Sequence, residues 1–142
     1  MDLRTVGGIV IAVLVALGVY VAWPQEKLSP EDEIRALVAR MIRNAEKRDP
    51  SALVEDLSDS FSGGGLGKRD VKQLAVGQFF GARDIGVLNP LLDVTVKSPT
   101  EGSFKGTFLF TRDGAEGSKY AIEAELQKGS DGWQIVTASW NR

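Results

Sequence analysis

The strongest constraint on this chain is an uncharged apolar run near its N-terminus. Residues Val6 to Trp23 contain no charged side chain and consist mainly of Val, Ile, Leu, Ala and Gly. An α-helix of this length would measure roughly 27 Å, close to the hydrocarbon thickness of a bilayer. Tyr20 and Trp23 lie at the far end, where amphipathic rings favour the membrane interface, and Pro24 disfavours continuation of the helix. The run predicts a membrane anchor over residues 1–25, bound to lipid.

A cleaved secretory signal is the alternative interpretation of the same run. Ala16-Leu17-Gly18 fits a small-x-small cleavage site, but cleavage there would leave an apolar stretch at the new N-terminus. The segment before the run has one Arg and one Asp, which is a weak charge pattern for a signal, so we favour the uncleaved anchor. Arg4 and the α-amino group precede the helix, and the positive-inside rule, which counts Lys and Arg, gives a slight bias toward a cytoplasmic N-terminus. We therefore expect a single-pass protein of a bacterial inner membrane with a periplasmic domain.

Small residues recur along one side of the predicted anchor. Gly8, Ala12 and Ala16 are spaced every fourth residue, and such a stripe lets two membrane helices approach closely. Gly and Ala are common in membrane helices for other reasons, so the spacing is also compatible with an anchor that does not associate.

The composition excludes several functional classes. The 142 residues include no Cys and no His, which removes thiolate chemistry, the commonest transition-metal ligand and the usual acid–base catalyst at neutral pH. We therefore predict no metal and no cofactor. The net charge is −2 and the basic residues are interspersed with acids, so nucleic acid is not an expected partner.

Residues 26–30 are predicted to be a linker, and residues 31–142 a single α+β domain. Ser29-Pro30 opens a helix that runs to about Lys47, since a capping hydroxyl, a first-turn Pro and acidic residues favour an N-terminus. Its predicted inner face comprises Ile34, Leu37, Val38, Met41, Ile42 and Ala45. A short helix over 51–57, a turn-rich loop over 58–67 and a third helix over 68–82 follow.

The hydrophobic period changes from 3.6 to two after Ile85. Four strands are predicted around residues 92–96, 104–110, 120–126 and 133–137. Short Gly-containing segments separate them, which is typical of antiparallel neighbours, so the pattern predicts a curved antiparallel β-meander packed against three helices.

Residues 30–142 resemble the nuclear transport factor 2-like superfamily, which has the cystatin-like cone fold and includes ketosteroid isomerase. The resemblance rests on the first-helix segment ALVARMIRNAEKRDPSALVEDLSDSFSG, the Gly-rich loop before the third helix, and the closing strand from Asp131-Gly132-Trp133-Gln134-Ile135 to Trp140. It implies a curved sheet wrapped around a long helix to form a conical pocket, and dimerisation through the sheet in many members.

The catalytic patterns of that superfamily do not transfer to this chain. Isomerase-like members use a Tyr of the first helix, whereas the tyrosines here are Tyr20 and Tyr120. Dehydratase-like members rely on His, which is absent, and no Asp–Arg–Asp set of the epoxide-hydrolase kind can be placed. We therefore expect a non-enzymatic, membrane-anchored binding or assembly module that is a subunit or accessory protein of a bacterial envelope complex. The alternative is a small-molecule lyase, isomerase or hydrolase of the cone-fold type that works without His or Cys.

Two polar residues are candidate ligand contacts. Gln78 is predicted to lie within the apolar face of the third helix, and Asn44 borders that of the first. A buried amide costs about 1–3 kcal/mol unless its hydrogen bonds are satisfied, so each side chain either contacts a small-molecule ligand or bonds to backbone.

Four further residues are candidates for a homodimer or protein-partner interface. Phe80 is predicted to point away from the core. Strand alternation predicts that Leu109, Val136 and Trp140 lie on the sheet face opposite the core, among polar neighbours.

Overall fold

The computed structural model describes residues 28–142. The predicted anchor over residues 1–25, with its lipid contacts and its small-residue stripe, lies outside them. None of the helices in the described region has the length and apolar character needed to cross a bilayer.

Three helices precede most of the sheet. They are α1 (Pro30–Glu46), α2 (Pro50–Val54) and α3 (Lys68–Phe79). The strands of the described region are β1 (Leu57–Gly63), β2 (Leu66–Gly67), β3 (Ile85–Ser98), β4 (Glu101–Arg112), β5 (Ala115–Gly129) and β6 (Gly132–Asn141). The α+β class is thus confirmed, and each of the four predicted strands lies within a longer observed one.

The six strands form one sheet in the order β2-β1-β6-β5-β4-β3. We call the face that packs against α1 the inner face and the opposite one the outer face. The core between α1 and the inner face includes Ile34, Leu37, Val38, Phe104, Phe108, Leu126, Trp133 and Ile135. Bulges interrupt the registers of β3 with β4, β4 with β5 and β5 with β6, and bulges bend strands, which suits a curved sheet.

The start of α1 is attached to the β5–β6 hairpin. Ser29 Oγ accepts a hydrogen bond from the Asp32 amide, as expected of an N-cap. Glu33 then accepts a 2.8 Å bond from the indole Nε1 of Trp133 and lies 3.0 Å from Lys128 Nζ. The Trp of the closing strand therefore fixes the orientation of the helix against the sheet.

The predicted loop over 58–67 is instead the hairpin β1–β2, and this is a correction to the meander. Gly64 and Gly65 form its turn with φ of 58° and 78°, values that glycine adopts without steric cost. β1 then pairs in parallel with β6, so the sheet is mixed. The strand was missed because only Leu57, Phe61 and Gly63 of its seven residues are buried, which leaves no period-two apolar signal.

The predicted inward face of α3 is also wrong in part. The helix ends at Phe79, and the residues that turn toward the domain are Val71, Ala75 and Phe79. Leu74 is 57% exposed and Gln78 is exposed, so the prediction that Gln78 faces the interior of the cone is wrong. Because α3 packs mainly against α2 and the β1–β2 hairpin, the buried stripe of this helix is narrower than the apolar face predicted from its sequence.

The β4–β5 hairpin gives a pH-dependent prediction. Asp113, at the turn, accepts hydrogen bonds from the Asp84 amide at 2.8 Å and the Arg83 amide at 2.6 Å, which lower the pKa of its carboxyl below the ordinary value of 3.8. A carboxyl whose pKa is lower in the folded chain than in the unfolded chain stabilises the fold at pH values above its unfolded-state pKa. This stabilisation is lost as the pH falls through the folded-state pKa. Below about pH 4, we expect the melting temperature of Asp113→Asn to fall less with decreasing pH than that of the native chain.

Differential scanning fluorimetry between pH 6 and pH 2 measures this effect. Asp131→Asn, in the β5–β6 turn, is the matched control, because no side-chain hydrogen bond of Asp131 occurs within residues 28–142. Equal acid sensitivity of native protein and Asp113→Asn would contradict the assignment.

Candidate functional site

An aromatic cluster extends along the inner face from the core to the surface. Its members, Phe104, Phe108, Phe110 and Tyr120, are called the inner aromatic cluster. Consecutive ring centroids are 6.4, 6.4 and 5.9 Å apart, the last pair edge-to-face. Phe104 and Phe108 are buried, whereas Phe110 and Tyr120 are half-buried. The cluster thus reaches solvent at the end where β4 finishes and β5 begins.

The part of the inner face that the described helices leave uncovered continues from β5 onto β6. Ile122 pairs with Trp140, and Tyr120 is the next inward residue along β5. Ile34 of α1 contacts the opposite end of this face, where a Cβ at Gly102 would lie 2.7 Å from Ile34 Cδ1. Since α1 covers that end, Ile122 stays half-buried and Trp140 is 38% exposed.

Arg142 lies over the exposed end of the aromatic cluster. Its Cζ is 5.7 Å from the Tyr120 ring centroid, a cation–π distance, and its Nη2 donates a 3.2 Å bond to Ser118 Oγ. Hydrogen bonding to Arg142 and then to Ser118 lowers the pKa of Tyr120. These contacts hold a guanidinium at the border of an apolar surface, and none of the salt bridges among the described side chains involves it.

Asn89 sits at the β3 bulge beside the same face. Leu88 pairs with Leu109 and Leu91 with Thr107, so Asn89 is one of two residues opposite Phe108. Its Nδ2 is buried and has no acceptor within the described region. An unpaired buried amide costs about 1–3 kcal/mol, so the bulge carries a local penalty that neighbouring packing must offset.

Ionisable groups are sparse inside the domain. Asp56 is the one buried charged or polar residue of the described region, and it forms a two-bond pair with Arg40, with N–O distances of 2.6 and 3.0 Å. Within residues 28–142, no three potential ligand side chains are placed to hold a metal ion. The inner face therefore presents apolar and aromatic surface, with Tyr120 and Arg142 at its exposed end and the Asn89 amide at the β3 bulge.

The outer face carries an open polar depression of about 450 Å³. Asp93, Lys105, Glu123 and Ser139 lie side by side across four strands, so charge alternates along this row. Nearer the β3 bulge the same face becomes apolar, with Leu88 62% and Leu91 67% exposed beside half-buried Leu109. The face thus combines an apolar end with a charged centre of mixed sign.

The sequence-predicted site residues do not come together. Asn44 is half-buried, and its Nδ2 donates a 3.3 Å bond to the Ala52 carbonyl, which joins α1 to α2. Gln78 is exposed on α3, and Phe80 just beyond it is 82% exposed, in agreement with its predicted outward direction.

A bulge in β6 separates the three residues predicted to share the outer face, which are Leu109, Val136 and Trp140. Ile135 pairs with Leu126 and Thr137 with Glu125, so Val136 is the extra residue between them and is half-buried. Alternation reverses after it, and Trp140 lies on the inner face, contrary to the prediction. Leu109 is on the outer face as expected.

Sequence reasoning missed the polar border of the inner face. Period-two alternation did identify Tyr120 and Ile122 as inward residues, but nothing local showed that α1 leaves this end uncovered. Arg142 carries no sequence signal, because its role depends on the neighbouring strand. Asn89-Pro90 is a turn-like dipeptide, and that was the available hint of a bulge.

Comparison with solved structures defines the fold. No family model matches the chain, and no curated protein is similar to it in sequence. A Nostoc punctiforme domain of unknown function with a cystatin-like fold is 18% identical over 79% of this chain and 76% of its own, with a TM-score of 0.67. A nuclear transport factor 2-like protein of unknown function from Pseudomonas putida is 15% identical over 78% and 84%, with a TM-score of 0.68. The described domain therefore has the cystatin-like fold.

Proposed function

We propose that this chain is a non-enzymatic binding and assembly module, held at a bacterial inner membrane by residues 1–25 with its domain in the periplasm. The observation that carries the proposal is the apolar, aromatic character of the uncovered inner face. Catalysis by general acid and base needs ionisable groups that converge on a substrate. In the described region the buried carboxylate, Asp56, is already neutralised by Arg40, so the domain is suited to binding.

The outer face supports assembly through a protein contact, either with a second copy or with another subunit of an envelope complex. Exposed leucines at positions 88 and 91 supply apolar area, and the alternating row at the centre supplies both signs of charge. Protein interfaces combine apolar contact area with polar groups that form hydrogen bonds across the contact. Confinement to a membrane raises the local concentration, so a weak contact of the domain and one of the anchor reinforce each other.

One observation favours the enzymatic alternative, a small-molecule lyase, isomerase or hydrolase. The pKa of Tyr120 is lowered by Arg142 and Ser118, which makes the phenol a better proton donor near neutral pH. A reaction would also need a base on the same surface. The described residues provide none there that is buried, and we therefore rank this alternative second.

Copurification from native membranes tests the proposal. We expect the full chain to resist extraction by carbonate and to elute in mild detergent as a homodimer or with a protein partner. Leu91→Glu places a charge in the apolar end of the outer face and is expected to dissociate the assembly. Leu74→Glu is the matched control, since Leu74 is similarly exposed but lies on α3.

Native mass spectrometry distinguishes the outcomes. Loss of the partner in Leu91→Glu and its retention in Leu74→Glu supports assembly through the outer face. A monomer without a copurifying partner, combined with measurable turnover of a small apolar substrate, would replace the proposal by the enzymatic alternative. Release of the chain by carbonate would refute the anchor.

A further inference from the structure

The uncovered end of the inner face has the composition of a small-ligand site. Its surface is formed by half-buried Phe110, Tyr120 and Ile122 and by Trp140, which is 38% exposed. Neighbouring strands are about 4.8 Å apart and inward residues along a strand about 7 Å apart, so the patch over β4, β5 and β6 measures roughly 7 by 10 Å. That area matches a planar molecule of two fused rings.

The polar border of the patch determines the charge of its ligand. Arg142 is held over the Tyr120 ring and bonded to Ser118, so its guanidinium is oriented before any ligand arrives. Among the side chains that the structure describes, no salt bridge involves Arg142. A guanidinium binds a carboxylate through two parallel hydrogen bonds, and one positive charge matches a monoanion better than a dianion.

We propose that this patch binds small aromatic carboxylates, with the rings against Trp140 and Tyr120 and the carboxylate on the Arg142 guanidinium. The inference rests on the proposed binding function and names the ligand class of its inner face. Aromatic rings stack favourably on Trp and Tyr, while a charge-assisted bond at the border of an apolar surface is stronger than one in water. The two contacts together select for a flat apolar body that carries one negative charge.

Two probes of equal shape separate the charge contribution from ring stacking. 2-Naphthoate carries a carboxylate, and 2-naphthamide replaces it with a neutral amide. Binding of each to the full chain in neutral detergent is measured by isothermal titration calorimetry. We expect naphthoate to bind about tenfold more tightly than naphthamide, as a charge-assisted hydrogen bond implies.

Matched variants assign that difference to the structure. Arg142→Met keeps the aliphatic stem and is expected to weaken naphthoate about tenfold while leaving naphthamide unchanged. Lys119→Met is the control, because Lys119 precedes Tyr120 on β5 and lies on the outer face opposite Leu109. Trp140→Ala is expected to weaken both probes. Comparing variants in the same detergent cancels the partition of each probe into micelles.

Three results would overturn the inference. Equal binding of both probes to the native chain removes the carboxylate preference. An equal loss in Lys119→Met and Arg142→Met shows a general charge effect and no specific site. Failure of both probes to bind refutes the ligand class, while the assembly function is judged separately by copurification and by the Leu91→Glu variant.

Discussion

Replacing Arg40 with alanine is expected to lower the free energy of unfolding of the domain by about 2–3 kcal/mol. The substitution leaves the buried carboxylate of Asp56 without its partner, and an uncompensated buried charge is strongly destabilising. We place the effect below the range for a fully buried pair because the Arg40 side chain is 49% exposed. Asp56 also directly precedes β1. Its backbone carbonyl accepts a 2.9 Å hydrogen bond from the Ile135 amide of β6, so the ion pair lies where β1 joins the sheet.

Urea unfolding followed by intrinsic tryptophan fluorescence measures this change, because Trp133 is buried in the folded domain and becomes exposed on unfolding. Lys68→Ala is the matched control, because its partner Asp59 is fully exposed and solvent screens that pair. Comparable losses in the two variants would show that the Arg40–Asp56 pair contributes no more than a surface ion pair. The double variant Arg40→Met with Asp56→Leu is expected to recover most of the stability, since it removes both charges together.

Replacing Gly63 with alanine is expected to destabilise the domain by about 2 kcal/mol. A Cβ at this position would lie 2.7 Å from the Ala138 carbonyl oxygen of β6 and 2.9 Å from Phe61 Cζ. It would also lie 3.2 Å from the ring of Trp140, which packs over the β1–β2 hairpin. Because one of these contacts is with backbone in a paired strand, relaxation requires β1 to move away from β6.

The same substitution at Gly77 is expected to have the opposite sign. Gly77 lies within α3, and a Cβ there would meet nothing within 4 Å. Alanine in a helix interior is more favourable than glycine by about 0.5–1 kcal/mol, so Gly77→Ala should raise the urea midpoint. If both variants shift the midpoint in the same direction, the close approach of β1 to β6 at Gly63 does not control stability.

Gly63 shows why the Gly-rich segment predicts a loop from sequence alone. Three consecutive glycines are typical of a flexible connection, and the sequence contains no information on what each glycine approaches. In the folded domain one glycine permits strand pairing beneath Trp140, and the next two form the turn with positive φ. The parallel pairing of β1 with β6 joins residues about 75 positions apart, a separation at which local patterns carry no signal.

Trp140 shows the limit of period-two alternation. Counting from Ile135, an unbroken strand would place residue 140 on the outer face, and the bulge at Val136 reverses this. A bulge inserts one residue for reasons of curvature and pairing that the strand's own composition does not reveal. The exposed aromatic patch, which depends on Trp140, therefore could not be assembled from sequence alone.

The amino-acid sequence alone determined the class of the domain, the helix that forms its core and the faces of β4 and β5. The helical spacing of apolar residues from Ile34 to Ala45 and their alternation from Phe104 to Phe108 are local patterns. Because each element buries one face, its type and its buried face can be predicted from its own residues. Only the tertiary structure decided which surfaces remain open. Which part of the inner face is covered depends on where the helices lie against the sheet. The observed placement leaves Tyr120, Ile122 and Trp140 partly exposed beside the Arg142 guanidinium.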